Sequence, residues 1–356
     1  MREVRRVRLL TRRGAVLGIA VLAATPAAFA QTVSVKFAAI GDYGDGPGTA
    51  SVAQLINNQA PDFIITGGDN CYDTVPIATQ VGKHFGSWVS GARFWPSLGN
   101  HDYSDPCGGG SAASGYRAYF SLPGNERYYQ VRKGPVELFA VNSNLADPNG
   151  ATQTSTQGLW LKNALAASNA PWKIVFFHHS PFSSGAEHGS VLRMRWPFEA
   201  WGADAVISGH DHHYERVIRD DNNNGVMMPY LISGLGGHSI RPANRANPGG
   251  SVAKYSGSYG ALFAAATDTT LKFEFRSTSG AAIDSYEMSK SGGTIDPPTD
   301  PTPRSKPHKK PKKNQRPADG LKSPFEFRSP PSNAVMRPRI NYDIAPLLDD
   351  RVVAPL

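Results

Sequence analysis

Asp42, Asp69, Asn100, His178, His179, His210 and His212 offer carboxylate, amide and imidazole groups, the donor types that hold metal ions. Each stands in a short polar stretch: Gly41-Asp42-Tyr43-Gly44, Gly67-Gly68-Asp69-Asn70-Cys71-Tyr72, Gly99-Asn100-His101-Asp102, His178-His179-Ser180-Pro181 and Gly209-His210-Asp211-His212. Glycine beside a donor lets the backbone turn tightly and approach an ion or an oxyanion. Tyr72 adds a phenol three residues after Asp69. Donors of this kind point to metal-assisted chemistry.

Each of these stretches follows an apolar run with the look of a strand, over residues 33–40, 63–66, 94–98, 172–177 and 204–207. In open α/β sheets, ligands gather at the carboxyl ends of strands. Amphipathic stretches over 49–58, 77–89 and 156–167 predict helices between them, the last turning Leu159, Trp160 and Leu165 inward. A hairpin is expected over 127–142 around Lys133-Gly134-Pro135, and a further strand over 230–232. Residues 261–288 read as antiparallel strands turning at Asp268-Thr269 and Ser279-Gly280. Strand–helix alternation that ends in strands predicts an α/β fold, a four-layer α/β/β/α sandwich of two mixed β-sheets flanked by helices.

The five stretches, in this order, resemble the purple acid phosphatases, a branch of the calcineurin-like metallophosphoesterases and here of the small tartrate-resistant type. That family is marked by DxG, GDxxY, GNH followed by an acid, VxxH and GHxH; this chain has Asp42-Tyr43-Gly44, Gly68 to Tyr72, Gly99 to Asp102, Val175 to His179 and Gly209 to His212. The wider superfamily carries a metal-binding histidine where Gly44 stands, so Tyr72 with Gly44 selects the branch. The resemblance implies a binuclear centre of Fe(III) plus a divalent metal (Fe, Zn or Mn). Asp42, Asp69, Tyr72 and His212 would hold the first ion, and Asp69, Asn100, His179 and His210 the second. VxxH spacing from Val175 selects His178 as ligand, whereas spacing from Pro181 selects His179, which is preferred. His101 and His188 are implied to bind phosphate or move a proton, with Asp102 either orienting His101 or capping its turn. His84, His213 and His238 match no block and are expected to be structural or at the surface, and Glu215-Arg216 to be scaffold.

The resemblance implies an acid phosphatase that hydrolyses phosphate monoesters of small phosphorylated substrates, by attack of a metal-bound hydroxide without a phosphoenzyme. Hydrolysis of phosphodiesters or nucleotides at the same site is the close alternative. A redox-active di-iron protein is another, and a surface-binding module a third.

Arginines at 2, 5, 6, 8, 12 and 13, an apolar run over 15–24 and Ala28-Phe29-Ala30 make residues 1–30 an expected signal peptide, of the twin-arginine or the ordinary kind. The product is expected to be exported, periplasmic or secreted, without a transmembrane span. Residues 31–290 form the expected catalytic domain, and 291–356 a Pro/Lys-rich tail too polar to fold alone. Of the formal net charge of +8, the signal carries +5 and residues 290–356 carry +6, leaving −3 on residues 31–289. The basic balance therefore gives no sign of a nucleic-acid-binding domain, while the tail's lysines offer a contact to anionic surfaces. After export Cys71 and Cys107 would meet an oxidising compartment, which favours a disulfide over two thiols.

Overall fold

A computed structural model describes residues 34–72, 76–104, 107, 113–291 and 294–295. The expected signal peptide and nearly all of the expected tail lie outside the described residues. Among the described residues, fourteen strands form two seven-stranded sheets. The first sheet is built from β1 (Val35–Ile40), β2 (Phe63–Thr66), β3 (Phe94–Pro96), β11 (Gly260–Ala266), β12 (Thr270–Ser277), β13 (Ala282–Ser291) and β14 (Thr294–Ile295), in the order β14-β13-β12-β11-β1-β2-β3. The second contains β4 (Tyr129–Lys133), β5 (Val136–Ala140), β6 (Trp172–His179), β7 (Ala205–Gly209), β8 (Tyr214–Arg219), β9 (Met228–Ser233) and β10 (Ser251–Tyr255), in the order β10-β8-β9-β7-β6-β5-β4. Both are mixed: β1-β2-β3 and β5-β6-β7-β9 run parallel, and the flanking strands pair antiparallel.

Strand side chains alternate between the two faces of a sheet, and here both faces are apolar. Val35, Phe37 and Ala39 of β1 pack with Ile174 and Phe176 of β6 in a core between the sheets. Ala38 and Ile40 pack outward with residues of α1 (Pro47–Gln59), α2 (Ile77–Ser90) and α3 (Ser114–Tyr119). Val175 and Phe177 face outward against Leu161 and Leu165 of α4 (Thr156–Ala167). These cores separate four layers, helices–sheet–sheet–helix, as the alternation predicted.

Three local expectations change. Leu159 is exposed, because α4 presents Gln157, Leu161 and Leu165, four residues apart, as its buried face. β6 runs two residues further than expected and takes both histidines into the sheet, with His179 beside Gly209. β8 and β10 escaped the sequence reading; β8 carries Glu215 and Arg216 inside the strand, and β10 has no run of apolar residues.

The parallel strands β1, β2, β3, β6 and β7 all end toward one rim, and there the backbones of the two sheets touch. A Cβ at Gly209 would lie 2.6 Å from both Gly67 O and Asp42 Oδ2, so only glycine permits this approach. The disulfide Cys71–Cys107, with Cα atoms 5.7 Å apart, ties the loop after β2 to the segment after β3.

Candidate metal centre

Among non-glycine residues, positive φ is uncommon and costs energy unless the surroundings impose it. Asp42 (φ 59°), Asp69 (φ 52°) and His210 (φ 72°) all adopt it, each just after a strand. The bends turn their side chains back over the rim. Asp42, from the first sheet, accepts the backbone N–H of His210, from the second, on both carboxylate oxygens at 3.1 and 2.9 Å. Asp69 Oδ1 accepts His101 N–H at 2.9 Å.

The donor atoms fall into two groups that meet at Asp69. On one side His212 Nε2 lies 3.4 Å from Asp42 Oδ1 and 3.4 Å from Tyr72 Oη. On the other, His178 Nε2 lies 2.9 Å from Asn100 Oδ1, 3.1 Å from His210 Nδ1 and 3.3 Å from Asp69 Oδ2. Ligand atoms at about 2.0–2.2 Å from a shared ion stand about 3 Å from one another, so these spacings fit a metal centre. Ligand atoms of Asp42, Asp69 and His178 all lie within 4.8 Å of one another. His178 therefore stands among the donors, where the spacing from Pro181 had favoured His179. His179 is turned toward Ser143, whose Oγ lies 2.7 Å from Nδ1 and accepts the His179 backbone N–H, though its ring remains 4.5 Å from that of His210.

A metal-binding imidazole needs its other ring nitrogen held. His178 Nδ1 meets Gly67 O at 2.7 Å, and His212 Nδ1 meets Ser239 Oγ at 2.5 Å. Buried carboxylates and imidazoles this close perturb one another. Burial alone would raise Asp69, but His178 beside it, and then His101, hold the carboxyl well below the usual range. Burial alone would lower His178; the Asp69 carboxylate, then Asp42, outweigh it and push the imidazole up to about 9. Burial, then neighbouring imidazoles, keep His179 and His210 neutral, with lone pairs available. Burial, then the charges of Asp69 and Asp42, push the Tyr72 phenol well up, a bias that cations between these groups would reverse.

The flanking histidines stand on opposite sides. His101 is tilted against Tyr72, ring centroids 4.5 Å apart, and His188 stacks on His210 at 3.9 Å. The loop bearing His188 is held by residues that sequence reasoning missed. Asp211 accepts N–H groups of His188 and Gly189, and the Arg245 guanidinium donates to the carbonyls of Ala186, Glu187 and His188 at 2.9–3.0 Å. Asp211 occupies the variable position of GHxH, where no pattern marks it. Asp102 accepts N–H groups of Asn70 and Gly99, joining the second and third loops, and burial, then the Asp69 charge, push it up to about 7.

Behind the site, Glu215 accepts from Ser184 N and Oγ, Ser251 Oγ and His213 Nε2, at 2.5–3.0 Å. Burial alone would raise this carboxyl; His213, Ser251 and Ser184 hold it below its ordinary value near 4.5. A lowered carboxylate contributes stability that is complete above pH 4.5 and lost as pH falls through the lowered value. Glu215→Gln should therefore lower unfolding stability by about 2–3 kcal/mol at neutral pH, with the gap from wild type closing in acid. Denaturant midpoints across pH measure this, and a gap that persists undiminished in acid would rule out the ionised carboxylate as its source.

Known proteins resemble this chain over the segment that carries these residues. The calcineurin-like phosphoesterase family model matches residues 35–214. Tartrate-resistant acid phosphatase type 5 of Mus musculus is 26% identical over 250 residues, 58% of this chain and 74% of that protein. Purple acid phosphatase 22 of Arabidopsis thaliana is 29% identical over 210 residues, covering 54% of this chain and 48% of its own length. Among solved structures, a purple acid phosphatase from yellow lupin seeds shares the fold (TM-score 0.60, 18% identity, 73% of this chain and 54% of that one). With a family model matching half of its length, over the segment that carries all five donor loops from Asp42 to His212, the chain belongs to the calcineurin-like phosphoesterases.

Proposed function

We propose that this phosphoesterase is an exported acid phosphatase that hydrolyses phosphate monoesters at a binuclear metal centre. The observation that carries the reading is the pair of donor groups meeting at Asp69. Asp42, Asp69, Tyr72 and His212 would hold one ion; Asp69, Asn100, His178 and His210 would hold the other, with His178 taken in place of His179 because its Nε2 stands among the donors. When bound, Fe(III) on the side of the carboxylates and phenol and a divalent Fe, Zn or Mn on the imidazole side would clamp the phosphoryl group and activate water. His101 and His188 flank the cluster from opposite sides, placed to donate to phosphate oxygens or to protonate the leaving oxygen. Ser239 and Gly67 hold the outer ring nitrogens of His212 and His178, so these two donors need little rearrangement.

The test compares initial rates on an aryl phosphate monoester and on the corresponding bis-ester in acid. Faster turnover of the monoester is expected, and an inert monoester beside a hydrolysed bis-ester would overturn the specificity. Metal content distinguishes the adjacent histidines: His178→Ala should lose an ion that His179→Ala retains.

A further inference from the structure

We propose that His238, in the loop between β9 and β10, is a positioning residue that holds the Tyr72 ring so that its oxygen faces the metal centre. The proposal rests on the reading of Tyr72 as a ligand. The two rings lie face to face, with centroids 3.7 Å apart and planes 2° from parallel. The opposite side of the phenol meets His101 at 4.5 Å, so Tyr72 stands between two imidazoles. Its backbone is separately fixed, since Gln80 accepts the Tyr72 N–H at 3.0 Å and donates to the Tyr72 carbonyl at 2.5 Å. What remains free in Tyr72 is rotation of the side chain, and that is the motion a stacked ring restrains. A phenol 3.4 Å from His212 Nε2 presents its oxygen to the same point only while the ring holds its angle.

The placement of His238 is built by the neighbouring chain. Its N–H donates to Asp42 O at 3.1 Å, and the next residue, Ser239, meets His212 Nδ1. Arg241 N–H donates to His212 O at 2.9 Å. The segment that carries the imidazole is thus tied to two candidate ligands of the same ion. Gly44 leaves the space it needs, because a Cβ there would lie 3.2 Å from His238 Cδ2. His238 is otherwise exposed, so its replacement removes little core packing.

The test has one readout without metal and one with it. In metal-free protein, the rate of tetranitromethane nitration at Tyr72, located by peptide mass spectrometry, reports how closely the ring is covered. His238→Ala should raise that rate about two- to tenfold, the range an aromatic pair supplies, and His238→Phe should restore it. In the iron-loaded protein, His238→Ala should broaden or shift the visible absorption band and speed iron loss to a chelator, again with rescue by Phe. An unchanged nitration rate in His238→Ala, or a Phe variant that behaves like Ala, overturns the proposal. Tyr72→Phe separates the underlying reading: if wild-type iron protein has no band that this substitution removes, Tyr72 is not a ligand, whatever the nitration rates show.

Discussion

Asp69→Asn should lower phosphoester turnover by about three orders of magnitude or more, equivalent to about 4 kcal/mol of transition-state stabilisation. Asp69 reaches both donor groups, His178 in one and Tyr72 in the other, so its loss should weaken both ion sites together. The amide retains an oxygen but gives up the negative charge that opposes His178 and would balance two cations. The substitution is close to isosteric, and asparagine is among the residues that best tolerate positive φ, here 52°. The fold should therefore survive. Turnover, metal per chain and thermal midpoint, measured on one preparation, separate the effects: activity and metal should be lost from protein that is still folded at the assay temperature, while the metal-free midpoint falls by the contribution of the Asp69–His178 pair. Near-normal turnover with both ions retained would remove Asp69 from the centre of the site.

Opening the disulfide should have the largest effect on stability. Cys71 and Cys107 are buried and 36 residues apart in sequence, and a cross-link closing a loop of that length stabilises by about 3–4 kcal/mol in the chain-entropy account. Cys71→Ala/Cys107→Ala should lose about that much in urea titrations. The bond also joins the segments bearing Tyr72 and Asn100, so the variant should release metal to a chelator faster than wild type. Unchanged stability would mean that Asp102, which joins the loops bearing Asn70 and Gly99 by accepting three hydrogen bonds, holds them without covalent help.

Much of the architecture was legible because the signals are local. Residues 63–66 and 156–167 match their elements at both ends, since an apolar run bounded by polar turns, or a capped amphipathic stretch, announces itself. Leu159 misled because the face that α4 buries is chosen by the sheet beneath it, and Gln157 was drawn inward to bond Asn142. β8 was hidden because its buried Glu215 and half-buried Arg216 have partners distant in the chain, Ser251 and Asp284.

The site divides along the same line. Asp42, Asp69, Asn100, His210 and His212 stand in contiguous blocks at strand ends, so residue type marked them as candidate metal donors and the order of the blocks carried the resemblance to a phosphoesterase family. Sequence also supplied Tyr72 and the paired histidines. Of the paired histidines, spacing from Pro181 preferred His179, whereas His178 Nε2 stands among the donors; adjacent residues on a strand point to opposite faces, and the direction depends on where β6 ends. Ser143, Asp211, Ser239 and Arg245 lie far in sequence from the histidines they support or sit at variable positions, and His238 matches no motif. Chain order determined which groups are available for chemistry. Which nitrogen faces the cleft, and what holds each ring at its angle, came from packing two sheets until their glycines touched.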